Sequence, residues 1–130
     1  MADWLVKTEP GEYSFEDLRK KGTATWDGVA NPVAVKNIRS MKAGDRIVVY
    51  HTGGEKAAVG LARVASAPRD DSKNPKLAVV ELTAGKPLPR PVRLEEIKSS
   101  PLFSDSPLVR IGRLSVVPLT AAQYAFLAGG

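Results

Sequence analysis

Arg46-Ile47-Val48-Val49-Tyr50-His51 is followed by Thr52-Gly53-Gly54-Glu55, and then by Ala57 to Ala65. The first run is rich in β-branched residues and apolar without interruption at its centre, the pattern of a strand buried on both faces. The glycine pair supplies turn chemistry, and the run that follows reads as the returning strand of a hairpin. Gly60 lies inside that strand, where a glycine marks a bulge or the close approach of another group.

Working outward, Asp3 to Lys7 reads as a short strand, and Glu9-Pro10-Gly11 as a turn. Ser14 followed by Asp17 forms a capping box that opens a helix through Lys21, which Gly22 ends. Asn31-Pro32 predicts a second helix start, with asparagine as the cap and proline where it loses no hydrogen bond. That helix is expected to run to about Met41. Further strands are expected at 77–83 and 110–117, a helical turn at Leu94 to Lys98, and a short helix capped by Thr120. Pro68 to Pro75 reads as a polar loop. Gly85 to Pro91, with prolines at 87, 89 and 91, is expected to be irregular. Strands near 3–7, 46–51, 57–65, 77–83 and 110–117 predict one α+β domain over residues 1–130, about five strands in a curled sheet or small open barrel with short flanking helices.

With 130 residues, 43% hydrophobic and 25% charged, the chain has ordinary globular proportions and can form its core without staples. The absence of cysteine excludes a disulfide framework and a thiolate nucleophile. A single histidine excludes a histidine-rich metal site. No apolar run approaches the roughly 20 residues that span a bilayer, and the first residues lack the pattern of a signal peptide. A soluble, cytoplasmic monomer without a cofactor is expected.

The net charge is +5, unevenly placed. Residues 1–28 carry 4 basic and 6 acidic groups, residues 29–64 carry 6 and 2, and residues 65–130 carry 9 and 6. Such a surplus suits a polyanionic partner, although a solvated basic surface gives the same count. Lys36, Arg39, Lys42 and Arg46 are candidates for phosphate contacts.

Catalytic motifs are nearly absent. The chain has no Gly-x-Ser-x-Gly elbow, no phosphate-cradling Gly-x-x-x-x-Gly-Lys-Ser/Thr and no Gly-x-Gly-x-x-Gly. Lys7 and Glu9, two apart on an extended segment, could act as an acid–base pair or form a salt bridge at a sheet rim. Trp26-Asp27-Gly28-Val29 lies between two helices, where an indole offers a flat face to a ligand or anchors the core. Asn31 can read a base edge or only cap its helix. Tyr50 and His51 end a buried strand at a rim, and Arg113 and Ser115 share a face if their segment is a strand.

Trp4-Leu5-Val6-Lys7-Thr8-Glu9-Pro10, Tyr13-Ser14-Phe15, Trp26-Asp27-Gly28-Val29-x-Asn31, Gly44-Asp45, Tyr50-His51, Val59-Gly60 and Arg113-Leu114-Ser115-Val116 together resemble the EVE domain family in order and spacing, over nearly the whole chain. The resemblance implies a PUA-like pseudo-barrel, kinship with YTH domains, and a non-catalytic module that binds nucleic acid, DNA before RNA. It implies a pocket for a flipped, modified base such as methylated or hydroxymethylated cytosine. Carried over by position, Trp26 would be the stacking wall, and Lys7, Glu9 and Asn31 would line the polar side. Val29 would stand beside them, Tyr50 and His51 would close the rim, and Arg113 and Ser115 would lie beneath. The sequence departs from the family pattern at Ala30, where arginine is usual, at Pro32, where an aromatic is usual, and at Thr52, where serine is usual. Two other readings fit these residues: an RNA-binding PUA-type module, and a small hydrolase of modified nucleosides acting through Lys7 and Glu9.

Overall fold

A computed structural model describes residues 2–129. Strand β1 (Asp3–Thr8) leads through helix α1 (Phe15–Lys21) to β2 (Thr23–Trp26), and helix α2 (Pro32–Arg39) leads to the hairpin β3 (Arg46–His51) and β4 (Ala57–Val64). Then follow β5 (Arg69–Asp71), a long β6 (Asn74–Arg93), α3 (Leu94–Lys98), a 3-10 turn at Pro101–Phe103, α4 (Pro107–Arg110), β7 (Val116–Leu119) and α5 (Ala121–Ala128). The sheet order is β2-β6-β4-β3-β1-β7, with β5 beside β6. Only β1 and β3 run parallel; every other pair is antiparallel. The architecture is the α+β curled sheet with short helices that the sequence predicts, with seven strands rather than about five.

The helix ends follow local chemistry. The Ser14 hydroxyl accepts from the Asp17 amide while the Asp17 carboxylate accepts from the Ser14 amide. Gly22 ends α1 at φ 85°, a backbone that side chains resist. The Asn31 side chain accepts from the amides of Val33 and Ala34, with Pro32 as the first helical residue. Thr120 and Gln123 repeat the capping box at α5.

The central strands form the core. Leu5, Val6, Ile47, Val48 and Val49 are fully buried, with Leu18 and Ile38 packed from the helices. Gly60 carries the close approach expected of it: the Phe15 ring from α1 lies where a Cβ would be, and the β3–β4 and β4–β6 ladders shift register around this point. Asp3 and Arg46 form a two-pronged ion pair at 2.7 and 3.0 Å, with the guanidinium 4.0 Å from the Tyr124 ring centre.

Four expectations are corrected. Pro68 to Pro75 is not a loop throughout, since Arg69–Asp71 form β5 and β6 begins at Asn74. Residues 85–91 are strand, the second half of β6. From Ala84 to Arg93 the sheet partner is β4 alone, since β5 and β2 pair with earlier residues. Prolines at alternate positions leave their missing N–H groups on one side, and an edge tolerates that. Residues 110–117 are not a strand: Arg110 ends α4, a turn follows, and β7 begins at Val116. Arg113 and Ser115 therefore do not share a strand face. Finally, the segment of Trp26 shows little strand pattern in sequence, yet Trp26 ends strand β2, paired with Val80.

Candidate nucleic-acid interface

Trp26 is 7% exposed, so most of the indole belongs to the core. Its remaining surface borders a hollow of about 220 Å³ lined also by Thr8, Tyr13, Lys21, Thr25 and Asp27. That volume lies below the roughly 300–1,000 Å³ of drug-sized pockets and suits a single ring. The Tyr13 ring stands edge-on to the indole, centroids 6.0 Å apart and planes at 77°. The turn carrying Tyr13 is fixed from β1, since the Thr8 hydroxyl donates to the Tyr13 carbonyl at 2.6 Å and the Glu9 carbonyl accepts from the Tyr13 amide at 2.9 Å.

The Tyr13 hydroxyl is buried and has no hydrogen-bond partner among the described residues. Burial raises its pKa above the ordinary tyrosine value, and the Asp17 charge adds to this, so it stays a neutral donor and acceptor. A buried hydroxyl without a partner destabilises a protein by roughly 1–3 kcal/mol. Tyr13 lines a hollow that also has Asp27, Thr25 and Lys21 in its wall, while the hydroxyl oxygen itself is closed off from solvent. The arrangement can hold a flat heterocycle and pair both donor and acceptor atoms on its edge.

The residues assigned from sequence do not all meet in this hollow. Lys7 and Thr8 are consecutive on β1 and point to opposite faces. Thr8 borders the Trp26 hollow, whereas Lys7 and Tyr50 line a second one of about 190 Å³. The Lys7 ammonium donates to the Gly112 carbonyl at 2.9 Å, lies 5.6 Å from the Tyr50 ring centre, and has its pKa lowered by burial. Glu9 is exposed; its carboxylate accepts from the Gly11 amide at 3.0 Å and stands 3.5 Å from the Thr52 hydroxyl. Lys7 and Glu9 form no ion pair among the described residues.

His51 is held on both ring nitrogens. Nε2 accepts from the Phe15 amide at 3.0 Å, which leaves the proton on Nδ1, 2.7 Å from the Glu55 carboxylate. Val29 is buried in the core. The Asn31 carbonyl oxygen caps α2, and its amide nitrogen makes no hydrogen bond among the described residues. Arg113 is exposed, and the Ser115 carbonyl accepts from the Lys7 amide at 2.9 Å. Of the four suggested phosphate contacts, Arg46 is held by Asp3 and Arg39 by Asp70 at 2.8 Å, while Lys36 and Lys42 are exposed. No cluster of three metal-ligating side chains occurs among the described residues, and none of their helices is long and apolar enough to cross a membrane.

Sequence reasoning missed Tyr13, Thr25 and Asp27 as wall residues. Asp27 could have been found as the neighbour of Trp26. Tyr13 reaches the indole only because α1 returns the chain to β2, a contact that no local pattern signals.

Comparison with known proteins adds an independent finding. The EVE domain family model matches residues 2–129. Mouse thymocyte nuclear protein 1 is 30% identical, over 95% of this chain and 71% of its own. A crystal structure from Agrobacterium tumefaciens is 34% identical with a TM-score of 0.94, covering 100% of this chain and 94% of that one. Human THYN1, crystallised in complex with DNA containing 5-methylcytosine, is 26% identical with a TM-score of 0.88, covering 98% of this chain and 96% of that one.

Proposed function

The chain belongs to the EVE domain family, and we propose that it is a non-catalytic DNA-binding module that takes one modified cytosine out of the duplex into the hollow that Tyr13 and Trp26 line. The observation that carries this reading is the hollow that Trp26 and Tyr13 line together, beside a buried Tyr13 hydroxyl that no described residue satisfies. The similarity to human THYN1, crystallised with methylated DNA, supports the choice of ligand.

The magnitudes are compatible. Extruding a base costs a few kcal/mol, and stacking on an aromatic ring returns roughly 1–3 kcal/mol. The Asp27 carboxylate is the natural acceptor for the exocyclic amine of cytosine. A buried methyl adds only about 0.8 kcal/mol, so methylation alone gives modest selectivity. A hydroxymethyl group adds a hydroxyl that needs a partner, and the Tyr13 hydroxyl can be that partner. Trp26 carries the base contact, and Arg113, Lys36 and Lys42 offer charge to phosphates, which makes binding salt-dependent.

Tyr13→Phe tests the reading because its two effects have opposite signs. Removing an unpartnered buried hydroxyl is expected to raise stability by about 1 kcal/mol in urea melts. The same change is expected to weaken binding to a duplex carrying one modified cytosine about tenfold, the loss of one hydrogen bond to the base. Unchanged affinity for the modified duplex would count against the site, as would a fall in stability, which would show that the hydroxyl already has a partner.

A further inference from the structure

The second hollow, behind β1, has a chemistry of its own. Lys7, Lys56 and Lys98 line it, Tyr50 and Leu108 provide apolar wall, and Gly53 completes it. No carboxylate lines it, and none of the three lysines forms an ion pair among the described residues. The Lys7 ammonium gives one proton to the Gly112 carbonyl and keeps two to donate.

The site is held in shape. Lys56 has φ 46°, a left-handed backbone that glycine or asparagine would adopt at lower cost. The turn that imposes this is fixed at both ends. His51 grips Glu55 at 2.7 Å, and the Lys56 carbonyl accepts from the Leu94 amide at 2.8 Å, where α3 begins. The same helix ends at Lys98. Three cations are thus brought together from β1, the β3–β4 turn and α3; no carboxylate is among the wall residues, the Glu9 carboxylate stands against Gly53 and Thr52, and Glu55 and Glu95 share a neighbouring hollow with Lys56 and Lys98.

We propose that this hollow is a second ligand site that takes a phosphate group, either from the backbone of a bound strand or from a free phosphate ester. It is separate from the base cavity, since Lys7 and Thr8 face opposite ways from one strand, and it stands whether or not a base enters beside Trp26. A volume of about 190 Å³ admits such a group and little more.

The test is a titration at low salt followed through the amide resonances of Gly53 and Gly112 and the indole N–H of Trp26. Inorganic phosphate is one probe and an unmodified DNA duplex the other. Inorganic phosphate is expected to move the two glycines and leave the Trp26 signal in place. Lys56→Gly, which suits the left-handed backbone, and Lys98→Gln, on an exposed position, are each expected to weaken this response about tenfold, the loss of one charge-assisted contact. Movement of the glycines by the duplex assigns the phosphate to a strand; movement by inorganic phosphate alone assigns it to a free ester. No movement with either probe overturns the proposal, as does a response that survives in the Lys56→Gly, Lys98→Gln double variant. Failure of the base-reading role would show separately, as a Trp26 signal unmoved by a methylated duplex.

Discussion

Trp26→Ala is expected to lower stability by about 3–5 kcal/mol, the range for deleting a large buried aromatic side chain. The ring is 7% exposed, belongs to the main hydrophobic cluster and meets Tyr13 edge-on. Against a total of about 5–15 kcal/mol, that loss leaves part of the population unfolded at 37 °C. Urea denaturation checks it, and a variant as stable as the parent would show that the indole is not a core element. The same burial makes alanine a poor probe of ligand contact. Trp26→Phe keeps apolar volume while shrinking the face a base can lie on. It is expected to weaken binding to the modified duplex about tenfold, within the range of one stacking contact, and to leave weak, salt-sensitive binding. Fluorescence anisotropy with paired modified and plain duplexes measures both quantities.

The second large effect lies far from either hollow, at Asp45. Its carboxylate accepts from the Trp4 indole N–H at 3.0 Å, the Lys42 amide at 2.9 Å and the Ala2 amide at 3.1 Å. Asp45→Ala strands these donors and is expected to cost about 3 kcal/mol, since a single orphaned buried donor costs roughly 1–3 kcal/mol and two of the three keep partial access to water. Burial alone would raise the Asp45 pKa; the Trp4, Lys42 and Ala2 donors outweigh it and hold the group below its ordinary value. A carboxylate whose pKa is lower in the folded than in the unfolded state adds stability that is complete above the unfolded value and is lost as pH falls through the folded one. The parent is therefore expected to lose urea resistance below about pH 4, and Asp45→Asn, weaker at neutral pH, to lose less over the same range. Parallel losses in both proteins between pH 7 and pH 3 would contradict this role for Asp45.

What was legible in the sequence was what local chemistry decides. Ser14 with Asp17, Asn31 before Pro32, and Thr120 each cap the helix expected of them, because a cap needs only residues three or four apart. The run from Arg46 to His51 is a strand over those same residues, because an uninterrupted β-branched stretch has few other places to go. Gly60 was marked as a site of close approach, though not the Phe15 ring that approaches it. The failures depend on neighbours distant in the chain. The prolines at 87, 89 and 91 argue against a strand until it is known that one side of β6 has no partner there. Thr23–Trp26 is too short to announce itself and becomes β2 only against β6.

The candidate site divides in the same way. Trp26 was singled out as a ring in an unusual setting, and it does border a hollow. His51 is expected at the rim from sequence, and the hydrogen bonds to Phe15 and Glu55 engage both of its ring nitrogens. The separation of Lys7 from Trp26 was not legible, although the alternation of Lys7 and Thr8 along β1 contains it once β2 is known to lie on the Thr8 side. Tyr13 was quoted only as part of a motif. Its significance comes from an absence that only three dimensions reveal, a buried hydroxyl with nothing to bind.

The account turns on where the modified base goes. The most direct measurement is a crystal structure of this protein with a duplex containing a single 5-methylcytosine or 5-hydroxymethylcytosine. The predicted result is that nucleotide rotated out of the helix, its ring beside Trp26 and a polar atom within hydrogen-bond distance of the Tyr13 hydroxyl. A complex in which the modified base stays paired in the duplex and the Tyr13–Trp26 hollow holds only solvent would contradict it.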